Sequence, residues 1–205
     1  MKHTILTRMR FADKDLMRKY LVLTKDTLVP SLKSQTNKNF IWILMIRKED
    51  EGFLRSEIDF PFVSVYDEPG NVKYITDNNV EIQTRHDCDD FMFPHYIETI
   101  QKLYTENVDK YTTFLVQSQP TQLMYHTGKV NSIGPYHDKR TSMHLSLCQT
   151  TATYNIHHLG HGQMWQIADK VINMGEGFTQ WVIHGDNISC QNEAYQRAIK
   201  KTNGK

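Results

Sequence analysis

Three aspartates stand within four residues in "TRHDCDDFMF", residues 84–93: Asp87, Asp89 and Asp90. Carboxylates this close repel one another, so either water at a loop tip or a bound cation must offset the cost. Hard divalent cations take oxygen ligands, and a cation held by a D-x-D pair can clamp a diphosphate. On an extended backbone, residues two apart share a side. Asp87 and Asp89 would then face one way, and Asp90 would turn toward the following helix and cap it. The competing reading is a solvated acidic turn. A calcium loop is excluded: with Asp87 first, Glu98 falls at the twelfth position, but Phe91 and Met92 occupy the places of an oxygen ligand and a glycine.

A second cluster is "NIHHLGHG", with His157, His158 and His161. Zinc sites use histidines at helical spacing, yet Gly160 and Gly162 oppose a helix and no glutamate follows His157. A surface cluster, or a loop approaching phosphate or hydroxyl groups, fits better. Among the tryptophans, Trp42 lies in an apolar strand, which leaves Trp165 as the candidate for stacking on a sugar face, with packing as its alternative.

The elements that must position these residues alternate between strand and helix. "HTILTRMRF" reads as a first strand. Residues 13–35 read as a helix with Asp13 as N-cap and Leu16, Tyr20, Leu23 and Leu28 near one face. "FIWILMI" is a continuous apolar run of the kind buried on both faces of a parallel sheet. "FPFVSVYD" and "NNVEIQTRHD" follow as strands, the latter ending at the aspartates. "FPHYIETIQKLYTEN" is an amphipathic helix with Ile97, Ile100 and Leu103 or Tyr104 inward. "YTTFLVQS", "TQLMYH", "MHLSLCQT" and "TQWVIHG" supply later strands. The pattern predicts an α/β fold with a mixed, mostly parallel, Rossmann-like sheet flanked by helices. In such sheets ligands gather outside the carboxyl ends of the strands, where the acidic cluster falls.

Charge is nearly balanced, 24 Lys+Arg against 23 Asp+Glu, which implies no nucleic-acid partner. The three widely spaced cysteines point to free thiols, the opening residues do not form a signal peptide, and "FIWILMI" is too short to span a bilayer. A cytoplasmic, soluble chain is expected.

Taken in order, the T-R of "ILTRMRF", the S-L-x-x-Q-T of "SLKSQT", the R-x-D-x-D-D of "RHDCDD" and the W-x-x-H-G-x-N of "WVIHGDN" resemble a rhamnosyltransferase family of the GT-A fold. A narrower similarity is to the modules with which large algal viruses glycosylate their capsid protein. The resemblance covers residues 4 to about 188. It implies one GT-A domain over 1–205, with a nucleotide-binding part over about 1–110 and an acceptor-binding part over about 111–190. It further implies transfer of a hexosyl or rhamnosyl group from a nucleoside diphosphate, UDP above all, to a glycan or glycoprotein acceptor.

By the same resemblance, Asp87, Asp89 and His184 are the ligands of manganese or magnesium, the mixed oxygen and nitrogen set suiting manganese. Thr7 and Arg8 match the place where the fold binds base and ribose. Arg85, two before Asp87, either contacts donor phosphate or pairs with the acidic cluster. Two departures stand out. "MIRKEDEG" lacks the aspartate pair that follows the second strand in many such enzymes. "SLCQT" carries Gln149 where a carboxylate is expected, leaving Asp138 of "GPYHDKRTS" as the candidate catalytic base. Two other classes share these residues: a metal-dependent phosphohydrolase or nuclease, and a sugar-binding module without catalysis.

Overall fold

The computed structural model describes residues 1–126, 129–135, 144–157 and 161–183. In chain order its elements are β1 (His3–Arg8), α1 (Lys14–Asp26), α2 (Leu28–Ser34), β2 (Ile41–Met45), α3 (Glu51–Glu57), β3 (Val63–Val65), α4 (Glu68–Asp77) and β4 (Ile82–Arg85). Then come β5 (Phe91–Met92), α5 (Tyr96–Asn107), β6 (Thr113–His126), β7 (Lys129–Pro135), β8 (Leu145–Gln149) and β9 (Lys170–Ile183). They build one mixed sheet in the order β3-β2-β1-β4-β8-β6-β9-β5, with β7 paired to β6. Strands β3, β2, β1 and β4 are parallel, β8 runs antiparallel between β4 and β6, and β6 and β9 are parallel. The predicted α/β sheet flanked by helices is the fold observed.

The apolar run of β2 behaves as its composition requires. Trp42 and Leu44 enter one core with Ile5, Leu28, Leu32, Ile97 and Ile100, while Ile43 and Met45 enter a second with Leu6, Val65, Ile75 and Leu147. The alternation of a strand thus feeds a core on each face. Helices α1, α2 and α5 cover the first face and α4 the second.

Asp13 caps α1, accepting from the N–H groups of Asp15 and Leu16. The single helix expected over 13–35 is two. Pro30 has no N–H, and its ring crowds the carbonyl four residues back, so the helix breaks at Thr27. Met17 and Leu21 are buried in the core and Tyr20 packs against it, Leu23 and Leu28 are buried as expected, and Leu16 is only half-buried. "TQLMYH" is the continuation of β6, and β9 begins well before "TQWVIHG". Helix α4, absent from the pattern reading, ends in a Schellman motif: Val80 N–H bonds to the Ile75 carbonyl and Asn79 N–H to that of Thr76. Asn79 takes the left-handed φ of 47° that this stop needs. Val80 then packs beside Ile75 and leads into β4.

A chain of buried hydroxyls crosses the sheet. His3 Nε2 lies 2.7 Å from Thr84 Oγ1, which lies 2.7 Å from Ser146 Oγ. The buried Tyr96 phenol of α5 stands near Ser146 and Ser118, which work against the upward pull of burial on its pKa, without a hydrogen bond of ordinary geometry to either. Ser118 Oγ then meets Thr179 Oγ1 at 2.7 Å. The chain visits β1, β4, β8, β6 and β9 in their order across the sheet.

Candidate functional site

The order β3-β2-β1-β4 reverses direction at β1, so the crevice outside the carboxyl ends of β1 and β4 is the switch point of the sheet. Arg8 closes β1 and Arg85 closes β4. Leu6 and Arg85 are partners in register, and in a parallel pair Arg8, two beyond Leu6, shares their face. Arg8 ion-pairs with Glu68 at the start of α4. Arg85 is largely buried, which draws its guanidinium pKa down; the negative charge of Asp87 opposes that and the positive charge of Arg8 adds to it. Its Nε has no hydrogen-bond partner among the described residues. Two arginines and a carboxylate therefore meet at the switch point.

Thr7 is buried, and its hydroxyl accepts the indole N–H of Trp42 at 3.0 Å. It braces β1 against β2 from below the crevice.

The acidic cluster is a turn. His86 N–H still bonds to the Leu6 carbonyl, and Asp90 N–H then reaches back to the Asp87 carbonyl at 3.4 Å. Asp87 is half-buried, Asp89 is 4% exposed and Asp90 1%. The expected extended run, with Asp87 and Asp89 on one side, does not form, because Cys88 is drawn into the core against Thr24 of α1. Burial there lifts the Cys88 thiol well above its ordinary pKa. Cys88 and Cys148 are both free thiols.

Asp90 does not cap α5. Its Oδ1 accepts the N–H of Val182 at 2.8 Å, and its Oδ2 lies 3.2 Å from His144 Nε2. His144 in turn meets His86 edge to face, ring centroids 5.0 Å apart. Burial lowers His86 to about 3, aided by its neighbour, and His144 to about 4 against the pull of Asp87 and Asp89. Both are neutral near pH 7. The His86 Nδ1 faces the Asp87 carbonyl at 3.0 Å and must carry the proton there; the carboxylate requires the same of His144 Nε2. Pattern reading missed both histidines, although His86 stands inside the quoted motif.

The cap of α5 comes from the S-L-x-x-Q-T stretch. Gln35 Oε1 accepts the Ile97 N–H at 3.1 Å, and its Nε2 donates to the Phe93 carbonyl at 2.9 Å. Ser31 Oγ accepts the Met92 N–H at 3.2 Å, and Thr36 binds the Pro94 carbonyl through both its N–H and its hydroxyl. A helix start buried against α2 needs its N–H groups satisfied, and this stretch supplies them just after the acidic turn.

Other candidates fall elsewhere. Gln149 is buried at the opposite end of the sheet, near the start of β4, where its side chain bonds to the backbone of Thr153 and Tyr154. It closes a loop and does not face Asp87. Trp165 is 50% exposed. His157 is half-buried, its N–H on Asn155 Oδ1 at 2.8 Å. Asp138, His158 and His184 lie outside the described residues, as does the side chain of His161.

The turn offers two carboxylates, Asp87 and Asp89, whose hard oxygens suit manganese or magnesium. Among the described residues no group of three or more His, Cys, Asp or Glu is arranged to hold a metal. No described helix is long and apolar enough to cross a membrane.

No family model and no curated protein matches the chain in sequence. Among solved structures it is similar to S. aureus TarS 1–349 in complex with UDP-GlcNAc, at 14% identity and a TM-score of 0.39 over 64% of this chain and 37% of that one. The chain spans 22% of a longer TarS structure. It is similar to 4-diphosphocytidyl-2C-methyl-D-erythritol synthase of Anaerococcus prevotii at 14% identity and a TM-score of 0.48, over 96% of this chain and 98% of that one. A cytidylyltransferase of Leptospira borgpetersenii matches at 12% identity and a TM-score of 0.43, over 72% and 59% of the two chains.

Proposed function

We propose that this chain is a metal-dependent glycosyltransferase that moves a hexosyl or rhamnosyl group from a nucleoside diphosphate, UDP in the first instance, to a hydroxyl of a glycan or glycoprotein. The observation that carries this reading is the meeting of Arg8, Arg85 and Asp87 at the switch point between β1 and β4. Arginines present forked donors that match phosphate oxygens, and a carboxylate beside them would repel a diphosphate unless a cation stood between.

In this reading Asp87 and Asp89 hold manganese or magnesium, with His184 as a further ligand. The cation, when bound, neutralises the charge that develops on the leaving diphosphate. Arg8 and Arg85 orient the diphosphate, while Thr7 holds the floor of the nucleotide site. The bond from the anomeric carbon to the diphosphate oxygen breaks, a bond to the acceptor oxygen forms, and the acceptor proton passes to a base, for which Asp138 is the candidate.

The test is incubation with manganese and a panel of nucleotide sugars that includes UDP-hexoses and a rhamnose donor, with and without glycan acceptors. Release of nucleoside diphosphate matched by a glycosylated acceptor supports the reading. Release of nucleoside monophosphate would replace it with phosphodiester hydrolysis.

A further inference from the structure

We propose that Asp90 is a positioning residue: a buried strut that ties the end of β9 and the start of β8 to the acidic turn, holding Asp87 and Asp89 in place. Strands β5 and β9 are antiparallel, with Phe91 opposite Gln180 and Met92 opposite Thr179. Each pair sums to 271, so the position opposite Val182 is 89. There the chain has already left strand conformation for the turn that Asp90 N–H closes on the Asp87 carbonyl. A buried N–H on β9 would lose its ladder partner, at a cost comparable to a lost hydrogen bond. The Asp90 carboxylate takes over, accepting the Val182 N–H at 2.8 Å.

The second oxygen does separate work. It faces Nε2 of His144, the residue before β8, at 3.2 Å. One carboxylate thus fastens two strands that approach the turn from different directions, and the His86–His144 ring contact closes the same corner from behind. A buried carboxylate is costly unless its oxygens are satisfied; here one accepts the Val182 N–H and the other lies 3.2 Å from the His144 ring nitrogen. Asp90 is the most buried of the three aspartates, and its carboxylate faces β9 and His144.

The consequence for donor binding rests on the transferase reading, so the test has one arm that does not. Two variants are compared with the wild type: Asp90→Leu, close in shape but unable to accept, and Asp90→Asn, which still accepts the Val182 N–H. In the apo protein, amide exchange is followed at Val182 and at Leu115 and Leu147 in the centre of the sheet. Asp90→Leu should speed exchange at Val182 by about tenfold or more while leaving Leu115 and Leu147 unchanged, and Asp90→Asn should stay near wild type. In the second arm, calorimetry with UDP and manganese should show affinity reduced about tenfold or more in Asp90→Leu and largely restored in Asp90→Asn.

Unchanged exchange at Val182, or a parallel rise at all three amides, overturns the strut. Faster exchange at Val182 with wild-type UDP affinity overturns its positioning role. If the wild-type protein itself binds no UDP, the transferase reading fails, and the exchange arm still decides the strut.

Discussion

Gln35 Oε1 accepts the N–H of Ile97 at 3.1 Å while its Nε2 donates to the Phe93 carbonyl at 2.9 Å, so the side chain that follows α2 fixes both the first turn of α5 and the segment that leaves the acidic turn. Gln35 is buried, and an apolar replacement leaves the Ile97 N–H unpaired and takes one of two donors from the Phe93 carbonyl, which keeps the Tyr96 N–H. Gln35→Leu is expected to cost about 1–3 kcal/mol of stability, read from urea unfolding. Gln35→Glu keeps the acceptor toward Ile97 but sets a carboxylate oxygen against the Phe93 carbonyl, and should also lose stability.

Asp87 and Asp89 should separate ligand binding from folding. Asp87→Asn removes one charge from a repelling set, so the unliganded melting temperature should not fall. The upward shift on adding UDP and manganese should shrink or vanish, because only a ligand that binds the folded state raises stability by mass action. Asp89 is 4% exposed, so its near-isosteric Asn variant, not Ala, is the clean test; it should abolish manganese-dependent UDP binding. Paired melting curves with and without ligand check both, and a full ligand-induced shift in either variant would remove that residue from the metal site.

Acid should weaken the fold through its buried histidines. Burial lowers His3 and His86 to about 3 and His144 to about 4, from an ordinary 6.5. Each folded pKa lies below the unfolded one, so below pH 6.5 the unfolded chain binds protons that the fold excludes. Stability is full above about pH 6.5 and falls as pH drops from there toward 4, by up to about 1.4 kcal/mol per pH unit for each histidine. His3 is bracketed by Thr84 and Gln101. His3→Gln should therefore reduce proton uptake on unfolding by about one. Unfolding titrations at pH 7.5, 6.5 and 5.5 measure the slope, and a flat profile would contradict the neutral assignment.

Asn71 gives a prediction of opposite sign. It is fully buried on α4, three residues beyond Glu68 and four before Ile75, and neither its Oδ1 nor its Nδ2 has a partner among the described residues. A desolvated amide without partners is unfavourable, so Asn71→Leu, similar in branching, is expected to raise stability by about 1–2 kcal/mol. If the same variant weakens UDP binding, Asn71 serves the donor; if it destabilises the protein, the amide has a structural role.

Much of the parallel half was legible from local pattern alone. "FIWILMI" is apolar at every position and had to be covered on both faces, Asp13 stands where a helix must be capped, and Ile97, Ile100 and Tyr104 repeat at helical spacing. Those features depend on neighbours in sequence, as did the placing of Arg8, Arg85 and Asp87 at strand ends. The break at Thr27 is also written locally, in Pro30, but the apolar periodicity runs on through it and conceals it.

Tertiary structure decided what each aspartate faces. Asp90 satisfies the caps-the-helix pattern by type and position, yet α5 is served by Gln35 from 62 residues earlier in the chain, and Asp90 is claimed by Val182 from 92 residues later. His144 joins the same corner only because β8 folds back antiparallel beside β4. A hydrogen-bond donor left over where a ladder stops takes the nearest acceptor in space. No periodicity along the chain encodes which one that is.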